Sequence, residues 1–227
     1  MTTAAHPITL TVDDSTRVSA LLQAPAKPRA CYVMAHGAGA GMAHPFMAAV
    51  AVELADRGVA TLLYQFPYME RKSRRVDSPR IAHAAVRAAA AEALRRFPEL
   101  PLFAGGKSFG GRMTSQAQAL GPMEGVRGLA FLGFPLHPPG KPSTERAEHL
   151  NDVKVPMLFL QGSRDEFAEL DQLEPMCKAL GKRATLKLFQ DADHSFHVPA
   201  RTGRKDPEVR AEMLDTMVAW IDRVIAK

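Results

Sequence analysis

The stretch Gly106-Lys107-Ser108-Phe109-Gly110 centres a serine between two glycines, and it follows an apolar run. Residues 100–104 are predicted to form a short buried strand, and residues 112–120 a helix that ends at Gly121-Pro122. A sharp turn from strand to helix strains its central residue and brings neighbouring segments close, so residues without side chains are needed on both sides. The stretch therefore predicts a nucleophile elbow with Ser108 as the nucleophile.

A serine hydroxyl is a weak nucleophile at neutral pH, so Ser108 requires a histidine to take its proton and a carboxylate to orient that histidine. After an elbow of this kind, the acid and then the histidine are expected, each directly after a late strand. The predicted strand 155–162 leads to Asp165, and the alternating segment 184–189 leads to His194. We expect Ser108, Asp165 and His194 to form a catalytic triad.

Neighbouring residues offer alternatives to two of these assignments. Glu166, Asp191 and Asp193 are alternative acids, although the last two share a loop with His194 and are expected to hold that loop in place. His197 is the alternative base, or a residue at the rim of the site that contacts the substrate.

A second motif follows an apolar strand predicted over residues 30–35, where the chain continues as His36-Gly37-Ala38-Gly39-Ala40-Gly41. A tetrahedral intermediate carries negative charge on the former carbonyl oxygen, and two converging backbone N–H groups stabilise that charge. We expect Phe109, the residue after the nucleophile, to supply one N–H group and Ala38 the other. Gly39 is the alternative donor and a further candidate for substrate contact.

Together, the His36-Gly37-Ala38 turn, the elbow, Asp165 and His194 resemble the alpha/beta hydrolase superfamily over nearly the whole chain. Within it, the chain is similar to small lidless groups related to dienelactone hydrolases. It also resembles the hydrolase-like domain of a testis-expressed protein and of a histone acetyltransferase complex subunit, with Phe66-Pro67-Tyr68 and the following arginine-rich loop as supporting features. Dienelactone hydrolases use a cysteine nucleophile, whereas this elbow carries Ser108, so the resemblance does not extend to a lactone substrate.

Strands alternate with helices along the chain, which predicts a mostly parallel sheet covered by helices on both faces. With the resemblance, we expect an alpha/beta hydrolase fold of about eight strands, formed by residues 1–227 as a single domain. Residues 137–153, where larger hydrolases insert a cap, contain only a short loop rich in proline and glycine. We therefore expect no cap domain and an open cleft.

Two segments resemble nucleotide-binding motifs, but each lacks a glycine at a position that the motif requires. Gly106-Lys107-Ser108 imitates the end of a phosphate-binding loop, but that motif needs a glycine where Pro101 stands. The glycine-rich turn at residues 37–41 imitates a dinucleotide fingerprint, but Met42 occupies the position of its third glycine. Nucleotide cofactors are not expected.

Composition narrows the class of protein further. The 227 residues are 46% hydrophobic, enough for one domain to bury a large core without disulfides or metal. Cys31 and Cys177 are expected to be buried thiols rather than a bridge, and no histidine or cysteine cluster has metal-ligand spacing. The first six residues do not resemble a signal peptide, and no apolar run approaches the length of a membrane span. We expect a cytoplasmic protein that needs neither metal nor cofactor and does not act on membranes.

The net charge of +5 is modest, with local concentrations of basic residues at 71–75 and 201–205. Both are expected to be solvated loops, and the absence of interleaved aromatic residues argues against nucleic-acid binding. As a hypothesis, Arg74 and Arg75 attract a substrate that bears a carboxylate or phosphate, because their loop follows a strand end at the predicted active-site edge. Lys107 is expected to reach solvent, with contact to an anionic substrate as the alternative.

These features predict a serine hydrolase that acts through an acyl-enzyme. A carboxylesterase for small soluble esters is expected, with thioesters and lactones as alternative small-molecule substrates. The alternative is a binding or scaffold protein with a hydrolase fold and no useful turnover, because a fold by itself does not fix a function.

Overall fold

A computed structural model describes residues 4–226, and an antiparallel pair of strands comes first along these residues. Strands β1 (His6–Thr11) and β2 (Arg17–Gln23) pair with Leu10 opposite Val18, and both of these side chains are buried. The carboxylate of Asp13 closes the turn between them by accepting hydrogen bonds from the backbone N–H groups of Ser15 (2.9 Å) and Thr16 (2.8 Å).

The remaining strands form the centre and the far edge of the same sheet. They are β3 (Ala30–Ala35), β4 (Val59–Tyr64), β5 (Leu102–Lys107), β6 (Val126–Leu132), β7 (Met157–Gly162) and β8 (Ala184–Phe189). The strand order is β1-β2-β4-β3-β5-β6-β7-β8, with β2 antiparallel to β4 and every pair from β4 to β8 parallel. Strands β3 to β7 are buried along almost their whole length, as expected for parallel strands covered on both faces. The predicted mostly parallel eight-stranded sheet is confirmed.

Helices cover both faces of this sheet. They are α1 (Pro45–Asp56), α2 (Pro67–Glu70), α3 (Pro79–Arg96), α4 (Phe109–Leu120), α5 (Leu170–Ala179) and α6 (Asp206–Ile225). Helices α1 and α6 share one hydrophobic core, whereas α3, α4 and α5 contribute to the core on the opposite face. In α6, a stripe formed by Val209, Met213, Met217 and Trp220 is buried, and Trp220 meets Phe103 edge to face at 5.5 Å.

Helix α3 begins at Pro79, and the side chains just before it act differently from a standard cap. Ser78 is the N-cap residue without a capping side-chain hydrogen bond, and Pro79 begins α3 with a φ angle that already suits a helix. The buried Asp77 instead accepts a hydrogen bond from the backbone N–H of Tyr68 (2.8 Å) and pairs with Arg71 (2.8 Å). Asp77 therefore ties α2 to the start of α3.

No cap domain interrupts the region 137–153, as predicted. It contains a 3-10 helix, Glu145–Asp152, whose Ala147 and Leu150 are buried. A short 3-10 helix, Gly181–Arg183, precedes β8, and another, Ala200–Thr202, lies between β8 and α6. Cys31 and Cys177 are buried thiols, as predicted, and no helix within residues 4–226 is long and apolar enough to cross a membrane.

Strands β3 and β5 approach each other most closely at their carboxyl ends, where Ala35 pairs with Gly106. A Cβ atom at Gly106 would collide with the carbonyl oxygen of Ala35, and one at Gly110 would lie 2.5 Å from the same oxygen and 2.6 Å from that of His36. Both contacts are shorter than any real Cβ atom makes. The two glycines that flank Ser108 are therefore required by the backbone of β3.

Substitution Gly110→Ala tests this close approach. The alanine has two opposing effects on stability at that position. Alanine is the better helix former by about 1 kcal/mol, whereas overpacking against fixed backbone typically costs about 1–3 kcal/mol. We expect the clash to dominate and the free energy of unfolding in urea to fall. The control Gly140→Ala has open space around the new Cβ and loses only about 1 kcal/mol from its left-handed φ of 69°. A Gly110→Ala variant as stable as the wild type would contradict the packing described.

Candidate active site

Ser108 lies between the end of β5 and the first residue of α4 in a strained backbone conformation. Its φ is 49° and its ψ is −117°, values that side-chain-bearing residues rarely adopt and that cost of order 1–3 kcal/mol. The conformation turns the chain from the sheet into the helix, and it leaves Ser108 half-buried at the carboxyl edge of the sheet. This is the geometry expected of the predicted elbow.

The side chains of Ser108, His194 and Asp165 form a continuous hydrogen-bonded chain. His194 Nε2 lies 2.9 Å from Ser108 Oγ, and His194 Nδ1 lies 2.7 Å from Asp165 Oδ2. A carboxylate only accepts hydrogen bonds, so Nδ1 of a neutral imidazole carries the proton and Nε2 is left as the acceptor for the serine hydroxyl. The structure thus brings together the three residues that the sequence pointed to, in the order in which a serine nucleophile needs them.

Asp165 is buried, and neighbouring donors fix its orientation. Its Oδ1 accepts the backbone N–H of Phe167 (2.9 Å), and its Oδ2 also accepts the side-chain amide of Gln161. Gln161 is itself buried and accepts the backbone N–H of Phe134 (2.8 Å). The carboxylate is therefore held rigidly toward His194 by groups from β7 and the adjoining loop.

The alternative acids do not face the imidazole of His194. Glu166 is exposed, and Asp193 uses its Oδ1 to accept the backbone N–H groups of Ser195 (2.7 Å) and His197 (3.0 Å). The backbone N–H of Asp191 donates to Ser163 Oγ (2.8 Å), which joins the loop of His194 to the loop of Asp165. Asp193 and Asp191 hold the loop, as expected from the sequence.

His36 anchors the glycine-rich turn beside the elbow. Its Nε2 accepts the backbone N–H of Phe66 (3.1 Å), so the proton resides on Nδ1, which donates to the carbonyl oxygen of Gly37 (2.8 Å). Burial lowers the pKa of His36, which keeps the ring neutral as this pair of bonds requires. The buried histidine is a structural link between the turn and the segment after β4.

The hydrogen bonds of the turn distinguish Ala38 from Gly39 as the second oxyanion donor. The N–H of Gly39 donates to the hydroxyl oxygen of Tyr68 (2.9 Å), so it is already occupied. Within residues 4–226 the N–H of Ala38 has no hydrogen-bond partner, and that of Phe109, as the first residue of α4, has none inside its helix. Ala38 is the better candidate, and Tyr68 keeps Gly39 in place beside it.

A cavity of about 390 Å³ opens next to Ser108 and His194. Its walls include Phe46, Met47 and Phe167, and the ring of Phe167 lies 4.3 Å from that of His194. The sequence analysis missed these three apolar residues. Phe46 and Met47 look like ordinary first-turn residues of α1, and Phe167 follows the acid without a motif of its own.

The sequence-based expectation for Lys107 is wrong, because its ammonium does not point to solvent. Its Nζ donates a hydrogen bond to the backbone carbonyl oxygen of His194 (2.7 Å), and burial lowers the pKa of Lys107 to about 8. A Cβ at Gly133 would lie 2.9 Å from this Nζ, so the glycine leaves room for the ammonium. Lys107 thereby fastens the loop of His194 to the elbow, while its side chain forms part of the cavity wall.

Three other candidate substrate contacts lie away from the cavity walls. Arg74 and Arg75 are exposed on the loop between α2 and α3. His197 is exposed and pairs with Asp206 (2.9 Å) near the start of α6, and this pairing raises the pKa of His197. The structure therefore brings none of the three to Ser108, and His197 is engaged in holding α6.

Comparison with known proteins identifies the family to which the sequence and the fold are similar. The sequence model of the alpha/beta hydrolase domain family matches residues 28–222. An α/β serine hydrolase without lid from Xanthomonas campestris superposes with a TM-score of 0.75 at 20% identity, covering 97% of this chain and 96% of that chain. A dienelactone hydrolase from Anabaena variabilis gives a TM-score of 0.78 at 18% identity, covering 98% of this chain and 99% of that chain.

The esterase domain of a Rhodothermus marinus protein gives a TM-score of 0.73 at 16% identity, covering 97% of this chain and 98% of that chain. At such identities the likeness concerns the fold, and it confirms the predicted similarity to small lidless and dienelactone hydrolases. The resemblance to the testis-expressed protein and the acetyltransferase complex subunit stays a prediction. With the family match over most of its length, the chain belongs to the alpha/beta hydrolase domain family.

Proposed function

We propose that this protein is a serine hydrolase that cleaves small carboxylic esters through an acyl-enzyme. The proposal rests on one observation, the chain of contacts from Ser108 Oγ through His194 to the buried Asp165, at 2.9 Å and 2.7 Å. In this arrangement a neutral imidazole accepts the serine proton while the carboxylate orients the ring and stabilises its charged form. The likeness to serine hydrolase and esterase folds supports the same class of reaction.

In the first half of the reaction, Ser108 Oγ attacks the ester carbonyl carbon and its proton moves to His194 Nε2. The carbonyl oxygen becomes an oxyanion, which accepts hydrogen bonds from the N–H groups of Ala38 and Phe109. Collapse of this intermediate breaks the bond to the leaving alkoxide, which takes the proton from His194. The acyl group remains attached to Ser108, and the alcohol departs.

In the second half, water attacks the acyl carbon and gives its proton to His194 Nε2. The oxyanion forms again at the same two N–H groups, and its collapse releases the carboxylic acid as Ser108 Oγ recovers the proton. Asp165 stays ionised throughout and balances the charge of the imidazolium. No redox step or further co-reactant is required.

The cavity indicates the size and polarity of the acyl group. A volume of about 390 Å³ lies at the small end of ligand pockets, and its wall is built largely from Phe46, Met47 and Phe167. Without a cap domain over it, the site favours short esters that enter from water. We infer small, soluble, uncharged or weakly polar acyl groups as the preferred class.

Labelling with a fluorophosphonate tests the nucleophile. We expect the wild-type protein to be labelled covalently at Ser108 and to hydrolyse p-nitrophenyl acetate, and the Ser108→Ala variant to lose the label and about 10⁴-fold or more in kcat. Mass spectrometry of the labelled peptide identifies the modified residue. Retained labelling of Ser108→Ala would show that another residue is the nucleophile, and an unlabelled wild type with no turnover would favour the alternative of a binding or scaffold protein.

Ser115→Ala is the matched control for this experiment. Ser115 Oγ also lies 2.7 Å from a histidine, Nε2 of His149, but Ser115 is buried within α4 and no carboxylate within residues 4–226 hydrogen-bonds to His149. A serine–histidine contact alone does not make a nucleophile. We therefore expect Ser115→Ala to keep both the label and the esterase rate.

Tyr68→Phe tests how the oxyanion donors are positioned. The substitution removes the acceptor for the N–H of Gly39 and frees the turn that carries Ala38. Loss of a whole oxyanion donor costs about 10²–10³ in kcat, so a misaligned one is expected to cost about tenfold, with KM nearly unchanged. Steady-state kinetics on a short ester measures both parameters.

Tyr32→Phe is the control, because it also removes a buried tyrosine hydroxyl. The hydroxyl of Tyr32 donates a hydrogen bond to Ala130 O (2.8 Å) across the sheet and, within residues 4–226, forms none with the turn. We expect this variant to lose stability and to keep kcat. Equal losses of kcat in the two variants would contradict a specific role of Tyr68 in positioning the turn.

A further inference from the structure

Four basic side chains meet where α3, α4 and the 3-10 helix Glu145–Asp152 come together, and we call them the Arg112 cluster: His83, Arg112, Arg146 and His149. His149 Nε2 contacts Ser115 Oγ on α4 at 2.7 Å, and His83 Nε2 contacts Gln116 Oε1 on the same helix at 3.2 Å. All four side chains are half-buried. The cluster lies outside the cavity beside Ser108, and the proposed hydrolysis uses none of its members.

Within residues 4–226, no carboxylate hydrogen-bonds to a member of the cluster, and Asp152 is the acid whose charge acts on His149. Burial lowers the pKa of Arg112, and the nearby Arg146 lowers it further. Burial lowers the pKa of His149 to about 4, with Arg112 and His83 acting in the same direction and Asp152 in the opposite one. Like charges at such short range repel one another unless an anion lies between them.

A comparison of the half-buried arginines shows that the lack of an acceptor is particular to this cluster. Within residues 4–226, five of the seven donate hydrogen bonds to a carboxylate or a backbone carbonyl oxygen: Arg57, Arg87, Arg183, Arg204 and Arg210. The two that have no such acceptor are Arg112 and Arg146, and they are neighbours. Elsewhere the fold provides an acceptor for every guanidinium that it partly buries.

The Nε atom of Arg112 is sealed from solvent and, within residues 4–226, has no hydrogen-bond partner. Because an anion from solvent cannot reach this atom, the terminal nitrogens of the guanidinium are the donors available to a ligand. The guanidinium lies over the ring of Phe109, 5.8 Å from its centre, which restricts where the remaining N–H groups can point. A guanidinium held in this way presents a planar fork of donors that matches a carboxylate or a phosphate.

We propose that the Arg112 cluster is a binding site for a small oxyanion, a phosphate or a carboxylate group. The anion accepts hydrogen bonds from the guanidinium groups of Arg112 and Arg146 and lies beside the imidazole of His149. The ring of Phe109 separates this site from Ser108, since the same residue begins α4 next to the nucleophile. The anion is either a substituent of the substrate or a separate small ligand.

Binding of the anion is coupled to protonation of His149. The groups that face this imidazole are Arg112 on α4, His83 on α3 and Asp152 on its own 3-10 helix. A bound anion favours the charged imidazolium, so it raises the pKa of His149 above about 4. By linkage, the affinity for the anion rises as the pH falls through this higher pKa toward about 4.

Inorganic sulfate is the probe, because its charge stays constant between pH 5.5 and 7.5. Calorimetric titration into the Ser108→Ala protein, against sodium chloride of matched ionic strength, is expected to show one saturable site that tightens as the pH falls. Arg112→Gln and Arg146→Gln are each expected to weaken binding about tenfold or more. The control Arg127→Gln removes an exposed arginine on β6 and is expected to bind sulfate as the parent does.

Nuclear magnetic resonance of His149 gives a second measurement that does not depend on the variants folding. Sulfate is expected to raise the pKa of His149 in the Ser108→Ala protein, and chloride at equal ionic strength is not. The absence of saturable binding above chloride, or equal weakening in Arg127→Gln, would overturn the proposal. Both measurements use a protein without turnover, so their outcome is independent of whether the hydrolysis proposal holds.

Kinetics of the wild-type enzyme separate the two sources of the anion. If the substrate supplies it, sulfate raises KM for an ester that carries a carboxylate and leaves KM for its neutral analogue unchanged. If a separate ligand occupies the site, sulfate affects both esters equally or neither. Either pattern, together with saturable binding lost in Arg112→Gln, supports an oxyanion site at the Arg112 cluster.

Discussion

The contact between the carboxyl ends of β3 and β5 is the constraint on which the rest of the site depends. Ala35 pairs with Gly106, and Gly110 lies against the carbonyl groups of Ala35 and His36, so the elbow and the glycine-rich turn after β3 are pressed together. Side chains at either glycine would force the two segments apart. Because they touch, Ser108 must adopt its strained backbone conformation, and we expect the N–H groups of Ala38 and Phe109 to lie on the same side of the nucleophile. The energy of that strain is offset by the packing of the surrounding sheet and helices.

The parallel sheet then places the other two groups of the proposed triad at the same edge as Ser108. Asp165 follows β7 and His194 follows β8, and the carboxyl ends of adjacent parallel strands meet at one edge. Hydrogen bonds between the two loops, such as Arg164 N to Ala192 O (2.9 Å), keep them in register, and Lys107 fastens the second loop to the elbow. Side chains far apart in sequence are thus fixed relative to one another mainly by backbone pairing and by a few buried polar bonds.

The difference between local sequence patterns and tertiary contacts explains which features could be predicted from the sequence and which could not. Strand ends, glycine pairs and the order of serine, acid and histidine are local patterns, so the sheet, the elbow and the residues Ser108, Asp165 and His194 followed from them. The orientation of Lys107, the bond from Gly39 to Tyr68 and the basic cluster around Arg112 depend on contacts between segments about 30 or more residues apart. Lys107 in particular carries a charged side chain at a position where only tertiary packing decides between solvent and the carbonyl of His194. The apolar wall at Phe46 and Phe167 has no local signature either.

The most direct test of this account is a crystal structure of the protein after reaction with a small phosphonate. The account predicts a phosphorus atom bonded to Ser108 Oγ, with one phosphonyl oxygen about 2.7–3.1 Å from the backbone nitrogens of both Ala38 and Phe109. His194 Nε2 should remain within hydrogen-bond distance of Ser108 Oγ, and Nδ1 within that of Asp165. An adduct on another residue, or a phosphonyl oxygen that faces away from the turn after β3, would contradict it.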